Sequence, residues 1–359
     1  MPNQPTIHPF TSTLLTWYRT NGRDLPWRHT TAPYPIWLSE VILQQTRISQ
    51  GIAYWERFMS RFPTVESLAG AEEDEVLRLW QGLGYYSRAR NLHAAAKQIV
   101  KQGYFPDTLS GLLQLKGVGE YTAAAIASFA FHQPAAVVDG NVYRVLSRYF
   151  GIEAPIDTPS GKSTFKHLAQ SMLSHRDPSS YNQGIMDFGA LVCTPGIPSC
   201  TECPLHESCE AYRGGIVHLL PVKSRKAKTR KRHLIYIYVN EEGKSAWRKR
   251  PTGDIWAGLW EPLLVEDDTL PPLEGILHPL RMGVRHLLTH QEIIADFYLL
   301  EATEGFPLPE GYQWIAEDKL IQYGHSRLVG MLLEAVADYV SFHVPCPILE
   351  DVHDNEASQ

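Results

Sequence analysis

Four cysteines that lie close together place the strongest constraint on how this chain can fold. They follow the spacing C-x6-C-x2-C-x5-C within a chain of 359 residues, and the fifth cysteine, Cys346, lies far from them. Thiols at this density suit either a metal centre or a pair of disulfides. The four residues are Cys193, Cys200, Cys203 and Cys209.

The compartment of the protein bears on that choice. The N-terminus lacks the basic and apolar regions of a signal peptide, and no apolar run reaches the roughly 18 residues of a membrane span. We therefore expect a cytoplasmic protein with no membrane partner. A reducing cytosol disfavours structural disulfides, so metal binding is the favoured interpretation. Only Cys200 and Cys203 form a C-x2-C knuckle, and the spacing leaves both zinc and a [4Fe-4S] cluster open.

The apolar pattern divides the chain into two regions. Residues 10–213 show helical periodicity, with helix-sized blocks such as Ile36–Ile48 and no convincing strand. Residues 233–345 carry strand-like runs followed by a helix over Ser326–Tyr339, which predicts an α+β domain. The strand-like runs are 234–239, 246–250, 258–265 and 292–300.

A basic segment joins these regions. Residues 223–232 read K-S-R-K-A-K-T-R-K-R, with seven bases and no acid. The segment is either a solvated linker or a strip that lies along a phosphate backbone. The net charge of −6 means that a nucleic-acid partner must be held by local basic patches. We assign 214–232 to the linker and expect the acidic tail at 346–359 to be disordered.

A glycine turn and two carboxylates could carry chemistry. The turn at 117–119 leads into a helical pattern, so it suits either a bound phosphate or a tight corner between helices. Asp139 ends a short apolar run before another helix and is either a simple N-cap or a carboxylate that faces a cationic transition state. Glu40 is either a solvent-facing helical residue or a general acid whose pKa is raised by an apolar pocket.

These motifs in this order resemble the helix-hairpin-helix DNA glycosylase superfamily and, within it, the MutY family of adenine DNA glycosylases. The resemblance runs from about residue 10 to 340, and G-D-I-W-A-G-L-W-E at 253–261 extends it into a Nudix-like domain. The other matching motifs, besides the cysteine loop, are W-L-S-E-V-I-L-Q-Q-T (37–46), G-L-G-Y-Y-S-R-A-R-N-L (82–92), L-K-G-V-G-E-Y-T-A-A-A (115–125) and V-V-D-G-N-V-Y-R-V (137–145).

The resemblance implies a fold and a cofactor. An all-α helix-hairpin-helix domain at 1–213 would contain a six-helix barrel at about 29–134. A second module, made of about 10–28 and 135–213, would hold a [4Fe-4S] cluster on the four cysteines. The cleft between these modules would be catalytic, and an α+β Nudix-like domain would occupy 233–345.

The resemblance also implies roles for single residues. Glu40 matches the acid that protonates adenine, and Asp139 matches the carboxylate that stabilises the cationic sugar. Tyr121 and Asn141 match residues that line the active site. Expected contacts with the extruded adenine or the DNA are Arg23, Trp27, Arg28, Gln45, Thr46, Tyr85, Gly117, Val118, Gly119 and Gln183.

Two departures refine the expected activity. Tyr121 stands where the endonuclease III family has the lysine that forms a Schiff base with the sugar, so we predict a monofunctional glycosylase. The second domain lacks the R-E-x-x-E-E metal helix of a Nudix hydrolase, so we predict that it binds rather than hydrolyses. The family recognises 8-oxoguanine through Phe-Ser-His, and this chain has Leu288, Thr289 and His290 there.

The expected substrate is double-stranded DNA with adenine opposite 8-oxoguanine or guanine, bound by a monomer. In a bacterium the protein would be associated with the nucleoid, and no motif selects a sliding clamp or a mismatch-repair protein as a partner. Two alternatives are an endonuclease III-like enzyme for oxidised pyrimidines and a non-enzymatic iron–sulfur DNA-binding protein. Tyr121 argues against the first, and the presence of both Glu40 and Asp139 argues against the second.

Overall fold

A computed structural model of the chain describes residues 7–224, 230–266, 269–288 and 291–343. The described residues up to 224 belong to one compact unit and those from 230 onward to a second. Within these ranges, the helices are too short or too polar to cross a membrane.

Helices and short 3-10 turns build the part of the first unit that the structure describes. The helices are α1 (Pro9–Asn21), α2 (Pro33–Ile42), α3 (Ile48–Arg61), α4 (Val65–Ala69), α5 (Glu73–Leu79), α6 (Ser87–Gln102), α7 (Leu109–Leu112), α8 (Glu120–Phe129), α9 (Gly140–Phe150), α10 (Pro159–Met172), α11 (Pro178–Leu191) and α12 (Glu210–Arg213). The 3-10 turns are Pro26–Arg28, Cys200–Glu202, His206–Ser208 and Val217–Leu219.

The helices of the first unit pack in two groups. Helices α2 to α8 enclose an aromatic core in which Trp37, Phe58 and Trp80 are fully buried. Helices α1, α9, α10, α11 and α12 form the other group, and α11 also packs on α8. The packing of α11 on α8 brings the two groups together where the candidate site lies.

The second unit is a mixed six-stranded sheet with a long helix, α13 (Arg327–His343). The strand order is β4-β5-β1-β3-β2-β6, and only β1 and β5 run parallel among these neighbours. The strands are β1 (Arg230–Glu241), β2 (Lys244–Lys249), β3 (Trp260–Val265), β4 (Gly275–Leu287), β5 (Gln291–Ala302) and β6 (Gln313–Ala316).

Strand β1 has apolar cores on both faces. Leu234, Tyr236 and Tyr238 belong to one buried cluster, whereas Ile235 and Ile237 belong to the other. Successive side chains of a strand point to opposite faces, which explains why the run L-I-Y-I-Y-V is apolar without alternation. The helical first region and the sheet-containing second region confirm the expected division into all-α and α+β parts.

Two expectations about elements were wrong. The single helix expected over Ile36–Ile48 is two helices, because α2 ends at Ile42 and α3 begins at Ile48. The carbonyls of Val41 and Ile42 accept hydrogen bonds from Arg88, so the chain can leave the helix there without losing polar contacts. Strands β4 and β6 were missed altogether.

The linker is shorter than the expected 214–232. Leu220 is buried, and the guanidinium of Arg148 donates to the carbonyls of Val217 and Leu220, so this stretch packs on the first unit. At the other end β1 already begins at Arg230, and Arg232 is ion-paired. Residues 225–229 and the tail at 346–359 lie outside the described residues.

Candidate active site

Glu40 lies on α2 with its carboxyl group turned into the protein. Its side chain is buried, at 5% exposure, beside the fully buried Trp37 and Leu38. Burial, together with the charge of Asp139, raises the pKa of Glu40 to about 7, although a hydrogen bond from Tyr121 and the charge of Arg28 oppose the shift. Much of the Glu40 population therefore carries a proton at neutral pH.

Asp139 is the N-cap of α9, and its two carboxylate oxygens have separate partners. The backbone N–H of Val142 donates to Oδ1 at 2.8 Å, and the side-chain amide of Asn141 donates to Oδ2 at 2.8 Å. Burial raises the pKa of Asp139, but these donors and the charge of Arg144 hold the shift back. The two carboxyl groups thus occupy unequal environments.

Asn141 and Arg144 connect Asp139 to the first cysteine. The Arg144 guanidinium donates to the Asn141 side-chain oxygen at 2.8 Å and to the Cys193 carbonyl oxygen at 2.7 Å. Asn141 in turn donates to Asp139. A continuous set of hydrogen bonds therefore runs from the start of the cysteine loop to one of the two carboxylates.

Tyr121 lies in the first turn of α8 and contacts Glu40. Burial raises the pKa of Tyr121 well above its ordinary value, and the charges of Glu40 and Asp139 add to the effect. The phenol therefore stays protonated, and its hydroxyl also lies 3.8 Å from the sulfur of Met186. Tyr121 therefore presents a neutral hydroxyl, and not an amine, to Glu40.

A cavity of about 320 Å³ opens beside Glu40. Its walls come from the loop after α1, from α2, from the end of α8 and from α11. The lining includes four of the predicted contact residues, namely Arg23, Trp27, Arg28 and Gln183. Tyr121, Asp139 and Asn141 are absent from the described lining of the cavity, although Tyr121 donates a hydrogen bond to Glu40 and the charge of Asp139 acts on it.

Asp187 organises the basic side of this cavity and was missed from the sequence. It is fully buried on α11 and accepts hydrogen bonds from both Arg23 and Arg28, with the Arg28 bonds at 2.7 and 2.9 Å. Burial alone would raise the pKa of Asp187, but the two guanidinium groups lower it below its ordinary value. In the sequence, Asp187 is the only charged residue of the run G-I-M-D-F-G, and this position among apolar residues could have indicated a buried carboxylate.

Gln183 and Trp27 form other parts of the wall. The Gln183 side-chain oxygen accepts a hydrogen bond from Tyr18 at 2.9 Å, and its amide donates to Ser179 at 2.9 Å. Trp27 is buried and meets Trp55 edge to face at 5.9 Å. The cavity therefore combines a flat aromatic surface with hydrogen-bonding groups, as a site for a planar polar ligand requires.

Gln45 and Tyr85 lie on two exposed turns outside the described lining of the cavity. Both adopt left-handed backbone conformations, with φ of 57° and 46°, which are unusual for residues that carry a Cβ. Tyr85 is 43% exposed, and Gln45 is also exposed. Thr46 is half-buried next to Gln45. Such conformations cluster at functional sites.

The turn at 117–119 leads directly into α8. Gly117 has a φ of 75°, and a Cβ there would lie 2.5 Å from Cβ of Asn91, so only glycine fits. Val118 is buried, whereas Gly119 is exposed and is the N-cap of the helix. The free N–H groups of the first turn suit an anion, and the close packing shows that the corner also has a structural role.

Four cysteines line one cavity, together with Arg148 of α9 and Val192, which follows α11. Val192, Pro198 and Val217 contribute its apolar wall. Burial and the mutual repulsion of thiolates raise the pKa of three of the thiols, so a cation is needed to hold them as thiolates. The cysteines that share this cavity are Cys193, Cys200, Cys203 and Cys209.

The four thiols could bind either a single zinc ion or a [4Fe-4S] cubane. All four described cysteines are free of disulfides. In the described part of the chain, no set of three or more His, Cys, Asp or Glu side chains is placed to hold a metal ion directly. A single zinc ion needs sulfur atoms about 2.3 Å away, whereas a cubane spreads its ligands around a larger core. Four thiols around one apolar cavity form a ligand set that a [4Fe-4S] cluster can use.

The structure describes only one residue of the recognition motif expected in the second unit. Leu288 follows β4, is half-buried and donates its backbone N–H to the Gln291 carbonyl at 2.8 Å. Thr289 and His290 lie outside the described residues. Elsewhere in the second unit, the buried Arg250 and Glu261 form an ion pair at 2.7 Å.

Comparisons with known proteins agree with this organisation. Residues 38–171 match the HhH-GPD superfamily of base excision DNA repair proteins, and residues 234–335 match a NUDIX domain. The adenine DNA glycosylase of Buchnera aphidicola subsp. Schizaphis graminum is 36% identical over 259 residues, which is 71% of this chain and 74% of that protein. The Homo sapiens adenine DNA glycosylase is 44% identical over 216 residues, 57% of this chain and 40% of that protein.

Solved structures resemble the first unit. A thermostable thymine-DNA glycosylase aligns with a TM-score of 0.54 at 32% identity and covers 57% of this chain and 95% of its own. A non-covalent endonuclease III–DNA complex aligns with a TM-score of 0.50 at 20% identity, covers 58% of this chain and 95% of its own, and supports the fold alone.

Together, the helical fold and the buried carboxyl site define a helix-hairpin-helix DNA glycosylase of base excision repair. The second, Nudix-like unit completes the expected fold class. Within that class, the chain belongs to the adenine DNA glycosylase family, also called MutY.

Proposed function

We propose that this chain hydrolyses the N-glycosidic bond of adenine that is mispaired with 8-oxoguanine or guanine in double-stranded DNA. The observation that carries this proposal is a buried Glu40 with a pKa of about 7 beside the carboxylate of Asp139. Glycosidic cleavage through a cationic sugar requires one carboxyl group that donates a proton and one that stays charged.

The residues of the chain would divide the reaction as follows. Adenine leaves the base stack and enters the cavity beside Glu40, where Trp27, Arg28 and Gln183 surround it. Glu40 donates its proton to N7 of adenine, and the bond between N9 and C1′ breaks with its electrons moving to the base. Asp139 stabilises the resulting cationic sugar. Water adds to C1′ and returns a proton to Glu40.

The four cysteines are proposed to hold a [4Fe-4S] cluster. The fit rests on four thiols around one apolar cavity and on thiol pKa values that need a nearby cation to be lowered. The bound cluster would supply structural order to the loop rather than chemistry on the substrate. Arg144, which donates to the Cys193 carbonyl, would transmit that order to Asn141 and Asp139.

The remaining expectations form part of the same proposal. The enzyme is a cytoplasmic monomer, and it is monofunctional because Tyr121 offers no amine. The second unit recognises 8-oxoguanine through Leu288, Thr289 and His290. Replacing Thr289 and His290 with alanine should reduce the preference for 8-oxoguanine over guanine, and an unchanged preference would refute this role.

Strand-breakage assays test the activity. Duplexes with adenine opposite 8-oxoguanine, guanine or thymine are incubated with the protein and analysed with and without hot alkali. We expect breakage only after alkali and only for the first two duplexes. Breakage without alkali, or efficient borohydride trapping, would instead favour an endonuclease III-like lyase. No reaction with any duplex would favour a protein that only binds DNA.

A further inference from the structure

We propose that Arg88 is a positioning residue that ties together the two exposed turns carrying Gln45 and Tyr85. We call these turns, residues 43–46 and 82–85, the two probing turns. The inference rests on the proposed function, because it concerns how the enzyme contacts the base stack while adenine is extruded.

One side of the Arg88 guanidinium holds the first probing turn. Its Nη1 donates to the carbonyl oxygens of Val41 and Ile42, both at 2.9 Å, and to that of Gln44. These carbonyls lie at the C-terminal end of α2, where the last backbone oxygens of a helix have no partner within it. A cation at this end is also favoured by the helix dipole.

The other side of the same guanidinium holds the second probing turn. Its Nη2 donates to the carbonyl oxygens of Leu83 and Gly84, both at 3.2 Å. The guanidinium carbon lies 5.0 Å from the ring centre of Trp80 and 5.8 Å from that of Tyr85. One planar group therefore contacts both turns and the ring of one probing residue.

Only arginine offers this geometry. Its flat fork carries five N–H donors, whereas lysine concentrates its donors on one nitrogen. Arg88 is buried, at 9% exposure, and its hydrogen-bond acceptors in the described structure are backbone carbonyls rather than carboxylates. A cation buried in this way marks a place where several carbonyls must be held in fixed positions.

The backbone of both turns shows why a tie is needed. Gln45 and Tyr85 have left-handed φ values, which residues with a Cβ adopt only when the surroundings enforce them. With Arg88 in place, the two side chains are held outward at a fixed separation. Without it, each turn could relax independently of the other.

The helix that carries Arg88 also contacts the hairpin at 117–119. Asn91 packs against Gly117, and the side-chain oxygen of Gln98 accepts the Lys116 backbone N–H at 2.8 Å. Helix α6 therefore fixes three DNA-facing turns on one rigid element. The turn at 117–119, which is the proposed phosphate anchor, and the preceding Lys116 contact Asn91 and Gln98, whereas the two probing turns contact Arg88. The spacing of these residues along α6 therefore sets the distance between the anchor and the probing turns.

Arg88→Lys tests the tie because it keeps the positive charge and removes the fork. Base extrusion is measured by the fluorescence of 2-aminopurine placed next to the adenine of an 8-oxoguanine:adenine duplex. Excision is measured under single-turnover conditions. We expect the fluorescence gain to fall and the excision rate to drop on the order of tenfold, which corresponds to 1.36 kcal/mol, with little change in affinity for undamaged duplex.

A mutant cycle separates positioning from general damage to the fold. In a Gln45→Ala, Tyr85→Ala background, Arg88→Lys should cause little further loss of rate, because the groups that it positions are gone. Thr11→Val is the control for lost stability, because it removes the part-buried hydrogen bond that the Thr11 hydroxyl donates to the Met172 carbonyl. We expect this variant to keep the fluorescence gain. Equal losses from Arg88→Lys in both backgrounds would overturn the proposal.

A second measurement covers the case in which Arg88→Lys does not fold. If Arg88 enforces a left-handed Gln45, Gln45→Gly should be more stable to heat than Gln45→Ala in the presence of Arg88. Equal stabilities would contradict the tie. The fluorescence assay does not depend on bond cleavage, so absence of excision by the unaltered protein refutes the proposed function without deciding the role of Arg88.

Discussion

The carboxyl group of Glu40 lies within electrostatic reach of Asp139, and the charge on Asp139 adds to the burial that raises the pKa of Glu40 to about 7. Hydrogen bonds from two backbone N–H groups and one side-chain amide favour the charged form of Asp139, whereas Glu40 has one such hydrogen bond, from Tyr121. The pair therefore favours one proton on Glu40 and a charge on Asp139, which is the division of roles that the proposed reaction needs.

The rate of adenine excision should show a bell-shaped dependence on pH. Glu40 must be protonated to act as the acid, so the single-turnover rate should fall as pH rises through about 7. Asp139 must be ionised, so the rate should fall again at acid pH, at a value above the ordinary range because its pKa is raised. Glu40→Gln should lose the rate by about 10²–10⁴-fold while still binding DNA. A rate that stays high up to pH 9 would contradict the assignment of Glu40.

Ionisation of Glu40 should also lower the free energy of unfolding at alkaline pH. Its folded-state pKa is above the unfolded value, so the folded protein holds a proton that the unfolded chain releases between about pH 4.5 and 7. The shift corresponds to about 3 kcal/mol of unfolding free energy lost across that window. Urea unfolding should therefore show that Glu40→Gln is more stable than the unaltered protein at pH 8. The difference should vanish near pH 4, and a constant difference would argue against the raised pKa.

Removing the charge of Asp187 should destabilise the first unit. Asp187→Asn leaves Arg23 and Arg28 without their anion in a largely buried place, which should cost on the order of 3 kcal/mol in urea unfolding. The exposed pair of Asp24 and His29 supplies a control, because Asp24→Asn should change stability by less than about 0.5 kcal/mol. Equal effects of the two substitutions would show that Asp187 is not the anchor of the cavity wall.

The cysteine loop should depend on all four thiols. Cys203→Ser removes one of the proposed ligands, so purified protein should contain fewer than the expected iron atoms, about four per chain, and should lose the visible absorbance of the cluster. Cys346→Ser should keep both, because the proposed ligand set does not include it. One tightly bound zinc ion per chain in place of iron would refute the proposed cluster.

Some parts of the fold could be predicted because their local pattern is strong. The run from Ile235 to Val239 contains β-branched and aromatic residues without a break, and it forms the middle of β1. Strand β4 was hidden because Pro279 and Gly283 interrupt the pattern, and the structure places register shifts between Pro279 and Arg281 and between Arg281 and Val284. An irregular edge strand tolerates such residues, and its sequence therefore lacks regular alternation.

The site could be predicted only in part, because several of its contacts join residues that are far apart in the sequence. Glu40 and Asp139 could be found from their motifs, but the burial of Glu40 depends on helices far away in the sequence. Asp187 was missed because its partners, Arg23 and Arg28, lie about 160 residues earlier along the chain. The break between α2 and α3 was missed because Arg88, which satisfies the freed carbonyls, belongs to another helix.

Asp139 caps α9 with one oxygen while its charge serves the proposed chemistry. Asparagine caps helices as well as aspartate does, so Asp139→Asn would preserve the cap of α9 while removing the negative charge and the acceptor of the Asn141 amide. A variant of this kind would keep its helix cap and would therefore fold, and it would still fail to release the base. Natural variants are often classified by protein abundance or by thermal shift. These measurements would classify this variant as functional, and only a direct measurement of base release would reveal the defect.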